Sequence, residues 1–258
     1  VILSLIALAA TVPSISSGEE AAFKECTMLV KKDPQKAISE ASSWRIRGGG
    51  VLARQCLGLA YVELERWAPA AATFEQAARE AEAALDPRSA DFWAQSGNAW
   101  LAAGESEKAQ AAFDAALATS NLTPELRGEI HLDRARAGVA LGDLAGARKD
   151  IDKGIGLVGR DPFAWYLSAA LALREGNMAR AANDMSKAVH LAPDDANVLL
   201  QAGTIAGTSG DIDLAKSYYM RAIKLAPDSN AGRAAKAALE AAAQPQAEQP
   251  DEEPEDKK

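Results

Sequence analysis

Two histidines and two cysteines in 258 residues leave little material for chemistry. His131 and His190 lie far apart, and neither has a cysteine or second histidine at ligand spacing, so no structural zinc site is expected. A Ser-His-Asp triad would have to recruit one of them into a pocket, which nothing in the sequence indicates. No GxxxxGK[ST] or GxGxxG motif occurs; Gly48-Gly49-Gly50 opens a helical stretch, yet no lysine follows at the spacing of a phosphate loop. Acidic pairs such as Asp194-Asp195 fall at turns, where helix capping accounts for them. No cofactor and no small-molecule substrate are expected. A basic stripe with interleaved aromatics is missing and the net charge is −8, so nucleic acid is not an expected partner. Aromatics make up only 5%, whereas alanine lifts the hydrophobic fraction to 48%, a composition suited to closely packed helices. Little alternates with period two, and no sheet is expected.

What is present is a period. Gly142, Gly176 and Gly210 recur at intervals of 34 residues, each at the same point of a helix–turn–helix pattern. Counting repeats from starts near Val51, Ala90, Gly128, Pro162 and Ala196 aligns three columns of small residues. Position 8 holds Gly58, Gly97, Ala135, Ala169 and Gly203; position 20 holds Ala70, Ala109, Ala147, Ala181 and Ala215; position 27 holds Ala77, Ala116, Gly154, Ala188 and Ala222. Small side chains mark where two helices cross closely. Position 24 holds Phe74, Phe113, Ile151, Met185 and Tyr219, expected to fill the space the small columns leave between adjacent hairpins. Thr123-Pro124 and Asp161-Pro162 pair an N-cap with proline at the first helical position. Gly104, Gly142, Gly176 and Gly210 are expected to end first helices in a left-handed conformation, with Asp143 and Asp211 capping the second. Pro193 and Pro227 close repeats at position 32. A plain bundle or coiled coil is the competing architecture, but a heptad seam does not put glycine at each turn.

These columns resemble the tetratricopeptide repeat family: large residues at position 4 (Trp93, Trp165), aromatics at position 11 (Tyr61, Trp100), small residues at 8, 20 and 27, and proline at 32. The resemblance implies an all-α fold, a right-handed superhelical solenoid of stacked hairpins, and an exported bacterial member of the family. It covers residues 51–229 and is weakest in the repeat from Gly128, where His131 stands at position 4 and Gly138 at position 11. Short insertions near Asp86-Pro87 and Asn121-Leu122 account for the two longer spacings. Residues 19–50 read as a degenerate first hairpin turning at Asp33-Pro34, with Ala37, Ala41 and Trp44 on its second helix. Residues 230–243 read as an alanine-rich capping helix.

The ends differ in kind. Residues 1–18 begin with an apolar run of about ten, Val1 to Ala10, short of the roughly twenty a spanning helix needs. They look like the remnant of a secretory signal, with cleavage sites after Ala9 or Ser16; the alternative is an N-terminal membrane anchor. The protein is accordingly expected to be exported, in the periplasm. Residues 244–258 read as a disordered acidic tail carrying six acidic residues against Lys257 and Lys258. In an exported chain Cys26 and Cys56, on the first helices of consecutive hairpins, read as one disulfide; two buried thiols are the alternative.

The resemblance implies a groove lined by first-helix positions 2, 5, 9, 12 and 13. These are Asp91, Ala94, Asn98, Leu101 and Ala102; Glu129, Leu132, Arg136, Val139 and Ala140; Phe163, Tyr166, Ala170, Leu173 and Arg174; Asn197, Leu200, Thr204, Gly207 and Thr208. Asn98, Arg136, Tyr166 and Arg174 are the candidate partner-binding residues: the arginines for a carboxylate, Tyr166 for an apolar anchor, Asn98 for the segment's backbone. The lysines of a carboxylate clamp are missing. The expected function is a non-catalytic scaffold binding a protein segment in the cell envelope. A self-associating structural repeat protein and an enzyme fragment are the alternatives.

Overall fold

The computed structural model describes residues 17–120 and 122–243, and every regular element within them is helical. In chain order the helices are α1 (Ser17–Lys32), α2 (Pro34–Ile46), α3 (Gly50–Glu63), α4 (Trp67–Ala83), α5 (Ser89–Ala102), α6 (Ser106–Ala118), α7 (Pro124–Leu141), α8 (Leu144–Val158), α9 (Pro162–Arg174), α10 (Met178–Leu191), α11 (Ala196–Thr208), α12 (Ile212–Leu225) and α13 (Asn230–Ala243). Two compact units are present, one up to Gly159 and one from Arg160, each made of helices packed on their chain neighbours. The expected export segment lies outside the described residues except for Ser17 and Gly18, which open α1; the expected acidic tail lies outside them too.

Short polar side chains start seven of the helices. Asp33, Thr123, Asp143, Asp161, Asn177, Asp195 and Asp211 each accept a hydrogen bond from a backbone N–H of the first turn. The proline after Thr123 sets α7 going four residues before the repeat start read at Gly128. Gly104, Gly142, Gly176 and Gly210 have φ between 72° and 86°, so each first helix ends where an L side chain is disfavoured. Two positions depart from this chemistry. Glu65 (φ 54°) occupies the glycine's place after α3, and Leu85 (φ 55°) follows α4. Each costs about 1–2 kcal/mol in backbone energy.

The small columns are buried. At positions 20 and 27 every alanine is at most 4% exposed. Position 24 packs on position 8 of its own hairpin and also shares a core with the following one, as expected: Phe74 clusters with Ala99 of α5, and Met185 with Val198 and Ala202 of α11. A Cβ on Gly58 would lie 2.5 Å from Phe74, on Gly97 2.5 Å from Phe113, and on Gly203 2.5 Å from Tyr219. Where position 8 is alanine, position 24 is the non-aromatic Ile151 or Met185. Flat ring and missing methyl therefore come as a pair, because a close-packed crossing conserves volume.

Each unit covers the hairpin at its chain end. Ala231 and Ala235 of α13 are buried, the latter against Leu199 and Ala222, covering the last hairpin. In the N-terminal unit a disulfide joins Cys26 of α1 to Cys56 of α3, with Cα atoms 6.2 Å apart. The first hairpin is not held by that bond alone. Val30, Ala37 and Ala41 form a core with Leu57 and Ala60 of α3, and Trp44 packs so closely on Gly49 that a Cβ there would meet its ring at 2.5 Å.

Candidate functional site

In the N-terminal unit the candidate surface is built on α5 and α7. Asn98 donates through Nδ2 to Asp133 Oδ2 (2.6 Å), and Arg136 Nη1 donates to Asn98 Oδ1 (3.0 Å) and Asp133 Oδ1 (2.9 Å). The carboxamide is thus engaged at both ends, with one N–H and one oxygen lone pair of Asn98 still outside these bonds. It serves, with Asp133, to fix one edge of the Arg136 guanidinium, whose side chain remains 43% exposed. Such a partly solvated pair adds under about 1 kcal/mol of stability; its effect is to orient the fork. Sequence reasoning missed Asp133, although its i,i+3 spacing to Arg136 was the available signal. Leu132 is a correction. It is 1% exposed, and a Cβ on Gly154 would meet its Cδ2 at 2.6 Å, so it is core and lines no groove. Glu129 and Ala140 are exposed, and Val139 is half-buried. On α5, burial raises the Asp91 carboxyl above its ordinary range.

In the C-terminal unit the surface is built on α9 and α11. Phe163 is 41% exposed and stacks on Tyr166, ring centroids 6.2 Å apart and planes 11° from parallel. Tyr166 is half-buried, its lower edge packed against the core beneath. Arg174 is exposed in the last turn of α9, where a cation suits the helix terminus. Thr204 and Thr208 turn their hydroxyls back to the carbonyls of Leu200 and Thr204 (3.1 and 2.8 Å). Asn197 stays exposed at the start of α11.

Two further polar groups are buried and belong to packing. His131 Nδ1 lies 2.9 Å from Asp150 Oδ1, and Arg134 donates to both Asp150 oxygens (2.8 and 2.6 Å) and to Asp114 (2.6 Å). Burial pushes the Asp150 carboxyl up, but the hydrogen bonds from His131 and Arg134 and the Arg134 charge outweigh it and hold it at about 2. At the equivalent place in the next repeat Asp184 accepts from Ser168 (2.7 Å) and pairs with Arg180 and Lys187. Open depressions of about 270 and 340 Å³ beside α4–α6 and between α1 and α2 are lined by no histidine. Among the described residues no group of three or more His, Cys, Asp or Glu is placed to hold a metal ion. None of their helices is long and apolar enough to cross a membrane.

The tetratricopeptide repeat model matches residues 196–229, the α11–α12 hairpin. No curated protein matches the sequence. Among solved structures the chain is similar to PilW, a widely conserved type IV pilus biogenesis factor, with TM-score 0.70 and 18% identity over 87% of this chain and 100% of that one. It is similar to PilF of Pseudomonas aeruginosa, with TM-score 0.62 and 19% identity over 86% and 99%. It is also similar to YrrB, a tetratricopeptide-repeat protein with an unusual peptide-binding site, with TM-score 0.51 and 16% identity over 77% and 96%. At these identities the likeness shows the fold. That fold, stacked tetratricopeptide-type hairpins with no strand among the described residues, supports protein–protein interaction.

Proposed function

We propose that the protein is a non-catalytic scaffold of the cell envelope that holds a segment of another protein on the first helices of its hairpins. The observation that carries this reading is the Phe163–Tyr166 pair. A stacked aromatic surface with Phe163 left 41% exposed contributes little to folding, yet offers rigid apolar contact at low entropic cost. In the N-terminal unit the oriented, half-exposed Arg136 offers a bidentate site for a carboxylate. Arg174 offers a second cation on the α9 surface. YrrB, with its peptide-binding site, and PilW, a biogenesis factor, support a binding role on this fold. The envelope location rests on the apolar stretch of residues 1–18 and on the Cys26–Cys56 bridge, since disulfides persist in oxidising compartments.

The test is site-specific photo-crosslinking in the native envelope. A crosslinker replacing Tyr166 should capture a partner that one replacing the exposed Lys224 of α12 does not. Phe163→Ala should weaken that partner's binding about tenfold without loss of helicity. Equal capture at both positions would reject the first-helix surface. Capture of the protein itself, with molar mass rising with concentration in light scattering, would identify the partner as a second copy.

A further inference from the structure

Ile46 and Leu85 are the two most exposed large hydrophobic residues among those described, at 79% and 70%. Both stand where one hairpin passes to the next. Ile46 is the last residue of α2, and Leu85 follows α4 in a left-handed conformation that glycine would adopt without strain. Neither placement helps the fold. Ile46 is bracketed by Arg45 and Arg47, both exposed, and the structure gives neither guanidinium an ion-pair partner among the described residues.

These two turns lie on one edge of the N-terminal unit, together with the beginning of α1. Short turns join α1 to α2 and α2 to α3, and the three helices pack on one another, so α1 and α3 run in the same direction; the disulfide sets them nearly in register, Cys26 nine residues past the first of α1 and Cys56 six past the first of α3. The Arg88 guanidinium, beyond Leu85, is held above its ordinary pKa mainly by the hydrogen bond to Asp86. Of the edge's charges, Arg88 and Asp86 satisfy each other (2.5 Å), Arg54 pairs with Glu80, and Glu82 accepts from Trp93, while Glu19 and Asp91 act on Arg88 through their charge, which leaves Glu20, Arg45 and Arg47. The chain that joins α1 on this edge, residues 1–16, contains no Asp, Glu, Lys or Arg and is mostly apolar.

We propose that this edge lies against a phospholipid surface, Ile46 and Leu85 entering the acyl boundary and Arg45 and Arg47 meeting lipid phosphates. The chemistry is that of shallow interfacial contact: apolar side chains on turn tips beside unpaired arginines, next to an apolar segment. The inference rests on the anchor reading of the N-terminal segment and extends the envelope reading, because it orients the N-terminal unit. With the inter-repeat turns against lipid, the turns inside the hairpins at Glu65 and Gly104 point to solvent.

The test is hydrogen–deuterium exchange on the full chain with phosphatidylcholine vesicles containing phosphatidylglycerol, preceded by flotation. The chain should float, and exchange at residues 45–49 and 84–88 should slow by about fivefold or more, with no change at 64–66 and 103–105. In a chain carrying Ile46→Asp and Leu85→Asp that protection should disappear at unchanged helicity. Failure to float would remove the anchored reading of residues 1–16, and the inference with it. Flotation without protection at the two turns, or with equal protection on both edges, would overturn the inference alone.

Discussion

Hairpins α7–α8 and α11–α12 hold the same backbone by different means. In α11–α12 the crossing is apolar: Gly203 receives the Tyr219 ring, and Leu199 is fully buried beside Ala222 and Ala235. In α7–α8 positions 8 and 24 are the buried Ala135 and Ile151, Leu132 fills the place over Gly154, and the large position-4 residue is His131, held by Asp150. The difference teaches that the repeat demands volume, whereas chemistry is free provided every buried polar atom finds a partner. The polar solution is the more fragile one, since its members cannot be removed singly.

Asp150→Ala should break the comparison most sharply. It strands His131 and leaves Arg134 with Asp114 alone, and should cost about 3–5 kcal/mol in urea unfolding, while joint replacement of His131 and Asp150 by leucine should recover much of that. Recovery no better than the single variant would mean the polar solution is also a packing requirement. Acid should separate the hairpins next. Asp150 is held at about 2, below its ordinary 3.8. Its contribution is therefore complete above pH ~4 and is lost as pH falls toward 2, on the order of 2 kcal/mol. Asp150→Asn should flatten that limb of the stability profile; a limb of unchanged slope would locate acid sensitivity elsewhere.

Overpacking sharpens the comparison from the apolar side. Ala181→Leu, at a buried close crossing, should lower stability by about 1–3 kcal/mol, and Ala234→Leu on the exposed face of α13 should change it by less than about 0.5. Equal melting temperatures would refute the register of the small columns. The smallest effect concerns turns. Glu65→Gly should stabilise by roughly 1 kcal/mol by relieving a left-handed glutamate, and Gly142→Ala should destabilise by a similar amount.

The stack was legible because its determinants are local and periodic. Gly142, Gly176 and Gly210 report backbone conformation, and Asp143, Asp161 and Asp211 report helix starts, wherever they occur. Glu65 and Leu85 escaped because a side chain can be forced into a glycine conformation by the packing around it, which a sequence does not display. The candidate surface was less legible for a related reason. Position alone placed Leu132 in a groove, but its orientation depends on Gly154 in the next helix. The engagement of Asn98 was not legible because its partner Asp133 lies on α7, a contact across repeats with no local trace. Phe163 and Tyr166 were found as groove residues, while their stacking required the backbone of α9.

The bridge between Cys26 and Cys56 closes a ring, and the whole of α2 lies inside it. Stacked repeats are prone to exchange terminal elements between molecules, since each hairpin presents a neighbour's surface. A ring forbids that for the first hairpin: α1 can dock on the α3 of another copy only after the bond is cut. Oxidation thereby fixes the identity of the N-terminal end as well as its strength. A reduced preparation held at high concentration should accumulate exchanged dimers that an oxidised one does not.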